Sequence, residues 1–284
     1  MKTSTFFDTI ILGGNMYKVN KDSLLLEYLL NNVNDSKNNI KTYLKNGYIY
    51  VNNQCVTKYD YKLRINDIVS IKFKSKDIDI LYEDNDLIIV NKKSGLLTVS
   101  TDKSNNTLFR KVSSYVKEKN KHNKVFIVNR LDKDTSGIVV FSKNEKVKKI
   151  LQDKWNDIVT IREYIAVVEG ITDKSGEIKT YLTEDDMYVK VSKYGKLAIT
   201  KYERLKYNND FSLLRINLLT GRKNQIRVHM KYIGHNVVGD KKYGSKVKDR
   251  LMLHCSALEF INPINNKLIS IKCDKPSIFN KYFN

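Results

Sequence analysis

The sequence predicts an α+β protein built in two parts, and three observations carry that prediction. The chain changes character near residue 75, from a short helical and hairpin pattern to a longer alternation of strand-like and helical runs. Those later runs show no repeated period. Long strands then follow one another at 159–170, 196–207 and 211–219, which favours a central, mainly antiparallel sheet flanked by helices. The implied divisions are an N-terminal extension over 1–16, a small α/β module over 17–75 and a large domain over 76–284, with Ser75-Lys76-Asp77-Ile78-Asp79 as the linker.

Within the small module, Leu24, Leu25, Leu26, Tyr28, Leu29 and Leu30 predict an apolar helix, for which Asp22-Ser23 supplies the expected N-cap. Asn38 to Lys45 predicts a second helix with Ile40, Tyr43 and Leu44 on one face, stopped by Asn46-Gly47. Tyr48 to Val56 reads as two short strands about an Asn52-Asn53 turn, and Leu63 to Ile71 continues in the same style. This order resembles the S4 RNA-binding domain, in which a helix pair and a small sheet end in Gly-x-Val-x-Val-Asn-Gly and a later Gly-Asp-x-Val. Asn53 and Asn66 stand at the glycine positions, and asparagine tolerates the left-handed backbone such turns need. The resemblance implies RNA binding. Lys37, Lys41 and Lys45, four residues apart along one strip of the second helix, are then the candidate phosphate contacts, although the same spacing also describes an ordinary solvated face.

In the large domain, Thr107 to Val116 puts Leu108, Phe109, Val112, Tyr115 and Val116 on one helical face, and Asn144 to Trp155 does the same with Val147, Ile150, Leu151 and Trp155. These aromatics are assigned to the core rather than to base stacking. A hairpin is expected after Pro263, turning on Asn265-Asn266. Val125-Phe-Ile-Val128 and Ile138-Val-Val-Phe141 are rich in β-branched and aromatic residues and read as buried strands. Between them Asn129-Arg-Leu-Asp-Lys-Asp-Thr-Ser-Gly137 sets an acid beside a base in a tight polar turn. A polar turn projecting from a rigid sheet is where precisely aimed groups tend to sit.

That segment resembles the His-Arg-Leu-Asp-x-x-Thr-Ser-Gly signature of the RluA-type pseudouridine synthases, with Asn129 at the histidine position. Further motifs follow in family order. Tyr82 to Leu97 is similar to the opening strand and its Asn-Lys-Pro-x-Gly turn, with Lys93 replacing the proline. Arg162-Glu-Tyr-Ile-Ala-Val-Val-Glu-Gly170 is similar to the strand that carries the family's tyrosine. Gly221-Arg-Lys-Asn-Gln-Ile-Arg-Val-His229 resembles Gly-Arg-x-His-Gln-Ile-Arg-x-His, with Asn224 again replacing histidine; Gly239-Asp240-x-x-Tyr243-Gly244 and Leu253-His254-x-x-Ala257 complete the series. Both replacements keep a hydrogen-bonding side chain but lose one that titrates near neutrality. The resemblance runs from about Leu81 to the last residue, roughly seven tenths of the chain.

The resemblance implies conversion of uridine to pseudouridine within RNA, a reaction that needs no cofactor. Breaking the bond from ribose C1′ to uracil N1 calls for an ionised carboxylate, which either attacks covalently or takes the ribose 2′ proton. The motif register assigns that role to Asp132; by composition alone Asp134 is equivalent. Arg227 is expected to pair with Asp132 and Tyr164 to lie against the uracil. Arg130 is expected to occupy the stack vacated by a flipped base, while Thr135, Arg222 and Gln225 are expected to contact substrate. An S4-like module ahead of such a domain favours ribosomal RNA over tRNA as partner.

Composition leads independently to a polyanionic partner. Fifty-one Lys and Arg against 31 Asp and Glu leave a formal net charge of +20, although part of the lysine excess accompanies a general richness in Asn, Ile and Tyr. Cys55, Cys255 and Cys273 are odd in number and widely separated, and the four histidines form no ligand array, so neither a disulfide framework nor a metal site is expected. Phe6 to Leu12 is too short and too interrupted for a secretory core or membrane span, which predicts a cytoplasmic protein, with a monomer favoured. Two other classes compete. A non-catalytic RNA-binding or ribosome-assembly factor would have been signalled by loss of Asp132 or Arg227, and a glycosidase by a second carboxylate in register.

Overall fold

The computed structural model describes residues 16–33, 37–45, 47–71, 78–100, 107–185 and 188–283. Residues 1–15 of the expected N-terminal extension and most of the expected linker lie outside these residues, and Met16, expected in the extension, belongs to the first strand of the first unit. The first unit comprises β1 (Met16–Lys18), β2 (Ser23–Leu24), α1 (Leu25–Asn32), α2 (Lys37–Lys45), β3 (Ile49–Val51), β4 (Gln54–Cys55), β5 (Lys62–Leu63) and β6 (Ile68–Ile71). Its sheet has the order β1-β6-β3-β4, with β2 and β5 paired separately. Leu25 and Leu29 of α1 and Ile40 and Leu44 of α2 bury against Ile49 and Val69, so the unit owns its core. The β3–β4 turn is left-handed at both asparagines, with φ of 47° at Asn52 and 69° at Asn53, and Asn66 is left-handed at 74°.

The helix start differs from expectation. Pairing of β2 with β5 holds Ser23 extended, Leu24 is the N-cap with no side-chain bond, and the Asp22 carboxylate instead accepts from Ile65 N at 2.8 Å. Backbone carbonyls take over the capping role: Tyr61 O accepts from Leu25 N at 2.9 Å and Tyr59 O from Leu26 N at 3.1 Å. A tertiary contact has replaced the local one.

The large domain runs β7 (Asp79–Glu83), β8 (Leu87–Lys92), α3 (Leu108–Lys119), β9 (Phe126–Ile127), β10 (Ser136–Ser142), α4 (Glu145–Asp153), α5 (Trp155–Ile158), β11 (Val159–Glu169), β12 (Ser175–Glu184), β13 (Val189–Ser192), β14 (Lys196–Tyr207), β15 (Phe211–Leu218), α6 (Gln225–Tyr232), β16 (Leu253–Ile261), β17 (Leu268–Lys272) and a 3₁₀ turn at Ser277–Tyr282. The sheet order is β13-β12-β14-β15-β11-β16-β10-β8-β7, with β17 beside β16 and β9 beside β10. Thr107 caps α3 by accepting from Arg110 N, and Asn144 caps α4 by accepting from Lys146 N. The apolar faces read from the sequence bury as expected: Val112 and Val116 of α3 and Val147 and Leu151 of α4 join Ile88, Val90, Val139 and Phe141 in one core. A second core lies between α6, through Ile226 and Met230, and Ala166 and Val168 of β11. Among the described residues no helix is long and apolar enough to cross a membrane.

Among the described strands of this sheet, all pairings are antiparallel except that of β10 with β16, which pairs Ser136 with His254 and Gly137 with Cys255. Gly137, at φ +114°, lies so close to the neighbouring strand that a Cβ would stand 2.2 Å from Cys255 O and 2.6 Å from Cys255 N. Gly137→Ala is therefore expected to cost on the order of 3–5 kcal/mol, because the obstacle is backbone. Gly234→Ala meets nothing within 4 Å at φ +85° and should cost about 1 kcal/mol from backbone strain alone. Urea denaturation midpoints of the two variants check the contrast.

Candidate active site

The loop between β9 and β10 is held from beneath by the turn that follows β8. Lys92, with no exposed surface, donates its ammonium to Lys133 O at 2.8 Å, Leu96 O at 2.7 Å and Lys93 O at 3.2 Å. Burial pulls its pKa down to about 8, against the pull of Asp134 and Asp132. Gly95 N donates to Lys133 O at 2.9 Å, Ser94 Oγ to Asp134 O at 2.7 Å, and Thr98 Oγ1 to Leu131 O at 2.8 Å. The loop's carbonyls are thus taken up one after another. Asn129 extends the hairpin, its Oδ1 accepting from Val140 N at 2.8 Å, so the amide at the family's histidine position serves a structural bond that does not titrate.

At the tip, the Asp132 carboxylate is about one-third exposed (36%) and accepts from Arg227 Nη1 at 3.2 Å. Arg227, from the first turn of α6, is itself gripped by a bidentate pair: Nε and Nη2 each lie 2.7 Å from an oxygen of Asp240. Asp240 is 1% exposed and Arg227 12%. Burial works against the guanidinium's charge, but Asp240 and then Asp132 outweigh it and hold Arg227 above the ordinary arginine range. Asn224, at the second family histidine position, adopts the left-handed conformation with φ 53° as the N-cap of α6. Its Oδ1 accepts from Arg227 Nη1 at 3.2 Å and its Nδ2 donates to Tyr243 Oη at 3.1 Å. Asparagine is among the residues that tolerate this backbone best. Asp240 and Lys92 were visible only as motif letters; their roles depend on partners 13 and 41 residues away.

Tyr164 is half-buried between the two main cores and is paired across the sheet with Cys255. Burial first, then Cys255, hold its phenol well above its usual range, and the Asp132 charge adds to that. The structure therefore brings Asp132, Arg227 and Tyr164 together, with the Tyr164 hydroxyl kept protonated. Arg162, two residues earlier on β11, is lowered by burial and by the nearby Arg222, and it bonds Asn156 Oδ1 at 2.9 Å. Arg222 donates through Nε to Leu197 O at 3.0 Å.

The remaining candidates separate. Arg130 is exposed beside Asp132, and no hydrogen bond or ion pair holds it among the described residues. Thr135 is buried, with its N–H closing the turn on Asp132 O at 3.2 Å. Gln225 is 2% exposed. Its amide donates to Ile199 O and Thr200 Oγ1 and accepts from Thr220 Oγ1 and Arg222 N. Every donor and acceptor of that side chain is engaged inside the protein, so it sets the turn into α6. Lys37, Lys41 and Lys45 lie on the exposed side of α2, in the first unit. Among the described residues no group of three His, Cys, Asp or Glu side chains is placed to hold a metal ion.

Two fully buried histidines frame the site. His229 of α6 sits between Thr180 Oγ1 and Thr200 Oγ1, each 2.9 Å away. His254 joins Ser136 Oγ at 2.9 Å, which also accepts from Arg250 Nη2 at 2.9 Å. Burial lowers each histidine's pKa to about 4. The folded values lie below the ordinary 6.5, so the unfolded chain takes up protons first. Stability is thus full above about pH 6.5 and is lost as pH falls from there through about 4, on the order of a few kcal/mol per histidine. Denaturant titrations between pH 7 and 4 are expected to show this fall, reduced in a His254→Gln variant.

The site thus joins an arginine-held carboxylate with a tyrosine whose hydroxyl stays protonated, on a mixed sheet flanked by helices. The family model described as RNA pseudouridylate synthase matches residues 86–232. The chain is 32% identical to ribosomal large subunit pseudouridine synthase D of Buchnera aphidicola, over 82% of this chain and 83% of that protein. It is also 32% identical to tRNA pseudouridine synthase C of Haemophilus ducreyi, over 69% of this chain and 90% of that protein. The solved structure of human RNA pseudouridylate synthase domain containing 4 shares the fold with a TM-score of 0.61 at 21% identity, over 71% of this chain and 90% of that one. The chain belongs to the RNA pseudouridine synthase family, as its motifs imply. It is an isomerase that acts on RNA.

Proposed function

We propose that this enzyme isomerises specific uridines in structured RNA, with Asp132 as the catalytic carboxylate and large-subunit ribosomal RNA as the substrate. One observation carries the assignment of Asp132: its carboxylate is partly open to solvent while Arg227 holds it at 3.2 Å, an arrangement that keeps a nucleophile or base aimed. Among the described residues Asp134 has no such partner at its carboxylate; its carbonyl accepts from Ser94 Oγ. In the reaction the C1′–N1 bond breaks, the uracil turns while it stays bound, and a C1′–C5 bond forms as the C5 proton is lost and N1 gains one. Asp132 serves either as the nucleophile or as the base toward the ribose 2′ proton. The protonated Tyr164 ring offers a flat surface for the uracil.

Arg130, exposed beside Asp132, is suited to replace the flipped base in its stack, since a guanidinium both stacks and hydrogen-bonds. Arg130→Ala is expected to lower turnover on a stem-loop substrate roughly tenfold more than on an unstructured strand, because base flipping costs a few kcal/mol only where a stack exists. Equal loss on both substrates removes the role. The ribosomal preference rests on the longer alignment to the large-subunit synthase and on the S4-like first unit, whose Lys37, Lys41 and Lys45 lie in solvent at phosphate-contact spacing. Mapping pseudouridines transcriptome-wide with and without the gene, and with an Asp132→Asn complement, tests the whole reading. Sites in large-subunit RNA should vanish on deletion and stay absent with the variant; restoration by the variant would instead favour a non-catalytic RNA-binding factor.

A further inference from the structure

A second cleft, of about 370 Å³, opens between α6 and β13, a size within roughly the 300–1,000 Å³ typical of ligand sites. Its floor is apolar: Val189, Val228 and Tyr243 are all buried. Its walls are aromatic and solvent-facing, with Tyr188 44% and Tyr232 60% exposed. Tyr188 stands edge-on to Tyr243, the ring centroids 6.3 Å apart, and Lys242 Nζ lies 5.2 Å and 5.9 Å from the same two rings. Lys190 and Lys231 line the opening as well. Asp185 pairs with Lys190 at 3.4 Å, which leaves Lys231 and Lys242 to give the rim a positive balance.

The cleft and the active site share a wall. Arg227, which holds Asp132, has its guanidinium carbon 5.1 Å from the Tyr243 ring centre, and Asn224 bonds both Arg227 and the Tyr243 hydroxyl. Val228, in the cleft floor, follows Arg227 directly in α6. Large rings left in water beside a catalytic centre mark a contact surface. Rings interleaved with lysines are the chemistry of single-stranded nucleic-acid binding, where bases stack and phosphates meet ammonium groups.

We infer that this cleft takes an unpaired nucleotide of the substrate strand next to the uridine presented to Asp132, a reading that rests on the proposed RNA isomerase function. Its base stacks on Tyr188 and Tyr232, and its phosphates lie against Lys231 and Lys242. Flipping a uridine deprives its neighbour of a stacking partner, and a ring platform recovers part of that cost.

The test uses the full-length protein and fluorescein-labelled dodecauridylate, with binding read by anisotropy. Tyr188→Ala combined with Tyr232→Ala should weaken binding about tenfold or more, whereas Tyr194→Ala, at a tyrosine 80% exposed and not among the cleft residues, should leave it unchanged. Unchanged affinity in the double variant overturns the inference, including the case in which the cleft receives a protein. Absence of binding by the wild type overturns it too. Ultraviolet cross-linking of a 4-thiouridine dodecamer should place adducts within 188–191 or 228–243; adducts confined elsewhere count against it. Running the series in an Asp132→Asn background separates the two claims. Cleft-dependent binding without pseudouridine formation by the wild type sinks the isomerase reading alone, and turnover without cleft-dependent binding sinks only the cleft.

Discussion

Replacing Asp132 with asparagine is expected to lower single-turnover pseudouridine formation by roughly four orders of magnitude or more, the scale on which removal of a reacting group acts. The fold should hardly register the change. The carboxylate is about one-third exposed, and Arg227 keeps its bidentate pair with Asp240. Asp134→Asn, two residues away, is expected to stay within a few-fold of wild type, since that residue is exposed and the backbone carbonyl bonded by Ser94 is retained. Mass spectrometry of digested RNA after a timed reaction measures both. Substantial product from the Asp132 variant, or loss on altering Asp134 alone, would reassign the chemistry.

The second large effect is expected away from the reacting atoms. Asp240→Ala removes both oxygens that grip Arg227 and leaves a guanidinium only 12% exposed without its main partner. Breaking a buried pair from one side costs on the order of 3–5 kcal/mol. It also frees the turn after Gly239, because Asp240 Oδ1 accepts from Lys242 N and Tyr243 N, each at 3.1 Å. Turnover should fall with stability, as Arg227 no longer keeps its place beside Asp132. Combining Asp240→Leu with Arg227→Met should restore much of the stability, since an apolar pair can replace a buried ionic one at little cost, but not the activity. Urea midpoints and turnover measured on the same preparations separate the two roles; full activity in the double variant would remove Arg227 from the mechanism.

Local pattern carried much of this architecture. The apolar faces of α3 and α4 and the Asn52-Asn53 and Asn265-Asn266 turns depend on neighbours a few residues away, and those signals survive in a single sequence. The start of α1 did not, because the carbonyls of Tyr59 and Tyr61 took the part that Asp22 and Ser23 seemed fitted for. β12 escaped notice because its alternation is diluted by polar residues, only Ile178 and Leu182 along it being buried hydrophobics. In the site, motif register singled out Asp132, Tyr164 and Arg227, yet nothing local distinguishes Gln225, whose amide is consumed inside the protein, from a side chain that reaches a ligand. Lys92 reads only as the lysine of its Asn-Lys turn motif. Its burial is legible only once Lys133 is brought over it.

The parallel pairing of Ser136 with His254 joins residues 118 positions apart. On one side of it lies the half-sheet that carries the Asp132 loop, and on the other the half that carries Tyr164 and supports Arg227. Contacts of such long range close late, since the entropy of the intervening loop is lost before the contact can repay it. At about 5–20 residues per second, synthesis takes roughly ten seconds to pass from one partner to the other. Through that interval the Asp132 loop has been made while the strand that aligns it with Arg227 has not. On the proposed assignment of Asp132, a nascent chain is expected to form no pseudouridine until the pairing of β10 with β16 closes the sheet.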